Sequence, residues 1–230
     1  MPNSIISVKN LTVRHKKRLV LDNVSFYVPK NKICAFIGAN GSGKTSTIKS
    51  ILNINKQFQG KILINKVCSK NLKSHDLVAY CPEEHIHDSV KGITFLRRMA
   101  MLNGIDKIHF SKMLNSLLKF FKIDNNLLNS SFKKMSHGEK QLILIINTLL
   151  EDKPINIMDE PTSNLDPKIR FMFFEYLKKH RNSTYFISSH NIYEARQKTN
   201  WVILIEKGSI LYCGKWNNLR KLTPQIPWLN

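Results

Sequence analysis

A chain of 230 residues, 42% hydrophobic and 23% charged, lies in the ordinary globular range and has room for one large domain or a main domain with an inserted lobe. Its formal net charge of +20 comes from basic residues spread along the chain; a Lys-, Asn- and Ile-rich composition explains this first, an anionic membrane surface second and nucleic acid last. The longest apolar stretch, residues 142–150, is too short for a bilayer, which takes about 20 residues.

In chain order, residues 5–13 and 23–28 alternate apolar and polar around the charged tract 15–18, which predicts two half-buried antiparallel strands. Residues 33–37 form a short continuous apolar run breaking into a glycine-rich turn, as a buried parallel strand does. Residues 61–64 and 78–81 are further strand candidates. From about residue 89 to 150 the spacing becomes helical, with Phe95, Met99 and Leu102 on one face, and Leu114, Leu117, Leu118 and Phe121 on another. Residues 155–158 and 185–188 return to buried strands around a helix at 168–180. Residues 201–205 and 209–212 flank Lys207-Gly208 and read as a terminal hairpin. The pattern predicts an α/β fold: a parallel-sheet core, an antiparallel N-terminal layer and an inserted helical lobe.

Residues 1–17 lack the apolar core and cleavage site of a signal peptide, so a cytoplasmic location is expected. Cys34, Cys68, Cys81 and Cys213 form no C-x-x-C pair and no zinc spacing, and read as reduced thiols with no structural metal. No aromatic-and-basic motif stands out, so no specific nucleic acid is expected as a partner.

Gly38-Ala39-Asn40-Gly41-Ser42-Gly43-Lys44-Thr45 fits G-x-x-x-x-G-K-[ST] in full. Glycines let backbone N–H groups fold close around phosphates, and the helix that follows, from Ser46, presents its N-terminus to the anion. Lys44 reaches the β- and γ-phosphates and the Thr45 hydroxyl is placed to ligate Mg²⁺. Further on, Asp159 and Glu160 end a largely apolar strand. Two carboxylates there are costly without partners. Asp159 suits a direct or indirect metal acceptor, and Glu160 suits a group that orients or deprotonates water.

With both motifs in hand, the sequence resembles the ATP-binding cassette (ABC) family over nearly all its length. Met135-Ser136-His137-Gly138-Glu139 stands where the family has its signature, of the form L-S-G-G-Q. The resemblance implies that Ser136 and Gly138, with Glu139 beside them, meet the γ-phosphate held by a partner subunit in a head-to-tail dimer. His137 replaces the first signature glycine, and Glu139 the commoner glutamine. Ser163-Asn164-Leu165-Asp166 resembles the loop that places Asp166 at the dimer seam, and His190 resembles the switch histidine that contacts the γ-phosphate. Glu83, after Pro82, stands where a glutamine normally senses the nucleotide and its metal. Several exporter-type members carry the same proline-glutamate pair, which tilts the expectation to export. His15 falls where an adenine-stacking aromatic is expected.

The resemblance implies a P-loop NTPase core with a mostly parallel sheet, its core lobe spanning 1–83 and 151–230 and its helical and signature lobe 84–150. It implies ATP and Mg²⁺ as cofactors and an ATP-hydrolysing motor subunit of a transporter. It also implies a separate transmembrane permease subunit, a homodimer or a heterodimer with another nucleotide-binding subunit, and a place on the inner face of the cell membrane. The alternative is a soluble, non-transport ATPase of the same family, such as a cofactor-assembly factor.

Overall fold

In the computed structural model, which describes residues 4–16, 18–83 and 89–219, the N-terminal alternation becomes a hairpin of β1 (Ser4–His15) and β2 (Arg18–Pro29). Both strands run further than the alternation suggested. The charged tract is itself extended, with Arg14 opposite Leu19 and His15 opposite Arg18. β1 also pairs antiparallel with β4 (Phe58–Ile64), and the short β5 (Val67–Cys68), which no pattern announced, closes this four-stranded sheet in the order β2-β1-β4-β5.

The second sheet has the order β10-β9-β3-β8-β7-β6. It comprises β3 (Ile33–Ile37), β6 (Val78–Cys81), β7 (Ile155–Met158), β8 (Thr184–Ser189), β9 (Trp201–Glu206) and β10 (Ser209–Gly214). All its pairings are parallel except β9 with β10. Every residue of β3, β7 and β8 is buried, and β3 accordingly reads as an unbroken apolar run and β7 and β8 as largely apolar ones. One face packs on the antiparallel sheet and on Ile48 and Ile51 of α1 (Lys44–Ile51). Phe26, Phe36 and Phe186 meet there with ring centroids 5.3 to 5.9 Å apart.

The other face is covered by helices. Most of it lies under α2 (Gly92–Leu102), α3 (Lys107–Phe121), α4 (Asn125–Asn129), α5 (His137–Leu150) and α6 (Pro167–Lys179), and Ala35, Ile37, Val202 and Leu204 pack with Ala195 and Leu219. A single apolar cluster runs from Leu96, Phe110 and Leu117 through Phe132 to Phe173 and Tyr185. α5 joins lobe to sheet: residues 140–150 are all buried, and Gln141 Nε2 donates to Cys81 Sγ at the end of β6, at 3.5 Å. The buried face of α3 carries Leu114, Leu117 and Phe121 as expected, with Leu118 partly buried. α2 differs. It buries Gly92, Leu96 and Ala100, leaving Leu102 75% exposed. Gly92 packs against Met135, Leu128 and Ile143, so an i, i+4 row starting at a residue without a side chain sets the face. The chain ends its described part with α7 (Ile192–Lys198) and α8 (Trp216–Leu219). The lobe boundary expected at residue 84 and the segment 220–230 lie outside the described residues.

Burial pushes the Glu151 carboxyl, at the end of α5, from 4.5 up to about 7, partly countered by Lys153. The folded chain therefore holds a proton that the unfolded chain releases. The associated stability is present below pH 4.5 and is lost as pH rises through about 7. Glu151→Gln keeps an acceptor for Asn147 Nδ2 and removes the titration. The variant is expected to unfold at higher denaturant than the parent at pH 8, with the difference shrinking at pH 5, read by urea titration at both pH values.

Candidate functional site

Between β3 and α1 the chain folds into the loop 38–43. Gly43 sits at φ 110°, and a Cβ there would also meet Leu21 Cδ2 at 2.5 Å, so glycine is required on both counts. The Lys44 side chain is buried. Its Nζ donates to the carbonyls of Gly38 (2.7 Å) and Ala39 (3.3 Å) and lies 3.2 Å from Glu160 Oε1. Ser42 is buried under the loop, where its carbonyl accepts from Gly208 N at 2.9 Å and its hydroxyl has no hydrogen-bond partner.

Asp159 and Glu160 follow β7 directly and are 1% and 5% exposed. β7 and β8 run parallel with Met158 opposite Ile187, which brings Ser188 beside the two acids. The Ser188 hydroxyl donates to Asp159 Oδ1 at 2.5 Å and accepts from Glu160 N at 2.8 Å. Glu160 takes a left-handed backbone, φ 45°, and its second carboxylate oxygen lies 3.0 Å from His190 Nδ1. The acid thus lies between a buried ammonium and an imidazole. Asp159 Oδ2 is buried with no hydrogen-bond partner.

Lys44 and Glu160 line an open cleft of about 680 Å³, within the range of small-molecule sites, whereas Asp159 and Ser188 do not, and His190 lies with Gly38 and Ala39 in a separate hollow. The cleft brings together His15, Asn40, Gly41, Gly43, Lys44, Thr45, Ser46, Glu83 and Glu160. Gly38 and Ser42 support the loop from beneath, and Asp159 lies behind Glu160. Partial desolvation first, then the carboxylates of Asp159 and Glu160, push the Glu83 carboxyl above its usual value. Thr45 and Glu83 line the cleft and Asp159 Oδ2 is buried without a partner; oxygen donors of this kind suit a hard divalent cation.

Sequence reading missed Arg18, Val20 and Lys207, which line the same cleft. They come from the start of β2 and the β9–β10 turn, joined where Asp22 N donates to Gly208 O at 2.9 Å. No local pattern carries that signal. Ser188 was also missed as a functional group, although it stands two residues before His190.

Ser136, Gly138 and Glu139 do not line this cleft. Ser136 caps α5, and the first turn of α5 rests on the loop after Glu160: a Cβ on Gly138 would meet the Asn164 carbonyl oxygen at 2.5 Å. Asp166, expected at a dimer seam, caps α6 in its own chain, accepting from the N–H groups of Lys168 and Ile169 at 3.0 Å. The loop is further tied down by Ser163 Oγ donating to Glu160 O and by Arg170 donating to Leu165 O. Glu194 accepts from Thr162 Oγ1 and pairs with Arg170, linking α7 to the same loop.

Ser188→Ala leaves a buried carboxylate oxygen and a buried N–H without their partner, at a cost of about 1–3 kcal/mol. Displacement of Glu160 is expected to lower any nucleotide turnover by about a hundredfold. Thermal unfolding and steady-state phosphate release on the purified variant check both.

Residues 21–163 match the model of the ABC transporter family. A Mycoplasma pneumoniae protein described as an ABC transporter ATP-binding protein is 32% identical over 227 residues, covering 94% of this chain and 68% of the relative. A Helicobacter pylori protein described as an iron chelatin transport ATP-binding protein is 31% identical over 218 residues, covering 88% and 84%. Among solved structures, the ATP-binding subunit of an ABC transporter superimposes with a TM-score of 0.86 at 26% identity, covering 96% of this chain and 94% of that one.

Proposed function

The chain belongs to the ABC transporter family, and from that premise we propose that it is a transporter's ATP-hydrolysing motor, pairing head-to-tail with a second copy and driving a separate membrane-spanning subunit. Its reaction is the hydrolysis of ATP to ADP and phosphate. One observation carries the paired reading: Ser136, His137 and Glu139 are exposed on the helical lobe, and none of the signature residues lines the chain's own cleft. A phosphate-binding surface and a phosphate-binding signature that face different ways are satisfied together when two chains close on each other.

In this reading the nucleotide's phosphates lie on the loop 38–45 and its base end lies toward His15 and Arg18. Lys44, held by two carbonyls and Glu160, turns its ammonium to the β- and γ-phosphates. Glu160 Oε1 is thereby released to take a proton from the attacking water. His190 holds the other carboxylate oxygen and fixes the direction of that attack. Ser188 keeps Glu160 and Asp159 in register through both steps. Mg²⁺, bound with the nucleotide, would be held by Thr45, Asp159 and Glu83, and supplies charge neutralisation at the phosphates.

The transport role is supported by relatives whose names describe ATP-binding components of transport systems. Among the described residues no helix is long and apolar enough to cross a membrane. Met101, Leu102 and Ile108, 73%, 75% and 84% exposed around the α2–α3 connection, are the apolar surface we assign to contact with the membrane-spanning subunit, at the inner face of the membrane. The expectation of export is not carried forward, because a carboxylate at Glu83 serves the cleft equally for either direction.

Glu160→Gln removes the proton acceptor and keeps the side chain's shape. It is expected to lower ATPase turnover by about 10²–10⁴-fold while stabilising an ATP-bound dimer, read by phosphate release and light scattering. The same variant, recovered with ATP and Mg²⁺ from gently solubilised membranes, should bring a multi-span protein with it. Unchanged turnover would remove Glu160 from its role, and a variant that stays monomeric in ATP would overturn the paired site.

A further inference from the structure

The Ser136 hydroxyl, the group assigned to the partner's γ-phosphate, is already engaged within its own chain. Its Oγ lies 2.8 Å from Glu139 Oε2, and the Ser136 N–H donates to the same oxygen at 2.8 Å. Glu139 N in turn donates to Ser136 Oγ at 3.3 Å, completing a reciprocal cap on α5. A serine hydroxyl has one proton to give. While it points at the Glu139 carboxylate it cannot point at a phosphate, and a bond to a charged acceptor is roughly twice as strong as one to a neutral acceptor.

We propose that Glu139 is a positioning residue that weakens the trans contact, by competing with the partner-bound phosphate for the Ser136 proton. The inference rests on the paired-site reading and concerns how tightly that site closes. Closure requires the Ser136 hydroxyl to rotate away from a charge-assisted bond, so more ATP is needed to hold two chains together. A glutamine at 139 serves the same cap, since either residue type completes it. Its neutral amide oxygen holds the Ser136 proton less strongly, and its N–H₂ adds a donor that a carboxylate lacks. The cap itself is thus kept in Glu139→Gln, while the competition for the proton is relieved.

The test uses the full chain in the Glu160→Gln background, where hydrolysis does not drain the dimer. Sedimentation velocity across an ATP series with Mg²⁺ gives the ATP concentration for half-maximal dimer. Glu139→Gln is expected to lower that concentration roughly tenfold, with the melting temperature unchanged. In chains also carrying Ser136→Ala the shift should largely vanish; any remainder measures the screened repulsion between the carboxylate and the phosphates. In the otherwise native chain, Glu139→Gln should lower KM for ATP more than it changes kcat. Dimers that form in Glu160→Gln with the same ATP requirement whichever residue stands at 139 would overturn the inference and leave the paired site standing. A shift of the same size without the Ser136 hydroxyl would overturn it too. Absence of ATP-dependent dimers with either residue at 139 would bring down the paired site, and this inference with it.

Discussion

Two adjacent carboxylates at the end of a fully buried strand set the terms for the rest of the structure. Charges in that position cost several kcal/mol each unless partners are built around them. The partners come from two segments: Ser188 and His190 from the end of β8 and the turn directly after it, and Lys44 from the start of α1. The sheet order β3-β8-β7 puts both segments beside the acids, so the topology and the site answer the same requirement. Asp159 Oδ2 is left over, buried with no hydrogen-bond partner.

The parts of this site that were legible in the sequence are the ones whose chemistry is local. The loop 38–45 needs its glycines and its lysine within a few residues of one another, and the acids at 159 and 160 declare themselves against an apolar strand. Ser188 gave no such sign, because its role depends on a strand register that pairs residues 29 positions apart. The same holds for Leu21 against Gly43, and for Arg18 and Lys207 in the cleft. The face expected for α2 holds only in part, for a related reason: Phe95 packs against Phe132 on the core, while Leu102 is exposed. The packing of α2 begins at Gly92, which contributes no apolar signal, so the eye follows Phe95, Met99 and Leu102 instead.

The signature and the loop after Glu160 behave as one unit. Gly138 has no side chain because the Asn164 carbonyl occupies that space, and Arg170, Glu194 and Thr162 fasten the loop to α6 and α7. A change at Glu160 is therefore one short loop away from the first turn of α5. α5 carries it in turn into the helical lobe, through an apolar cluster that has no break between lobe and sheet. In the paired reading this is how hydrolysis on one chain is felt by the signature that serves its partner's nucleotide.

Mixing two inactive variants tests that reading most directly. Glu160→Gln spoils the cleft and leaves the signature intact; Ser136→Ala spoils the signature and leaves the cleft intact. If each site is shared between chains, a mixed dimer contains one site with a native cleft and a native signature. The account expects ATPase activity to reappear on mixing, and to peak near equal proportions. No recovery at any ratio, with both variants folded and binding ATP, would contradict a site made from two chains.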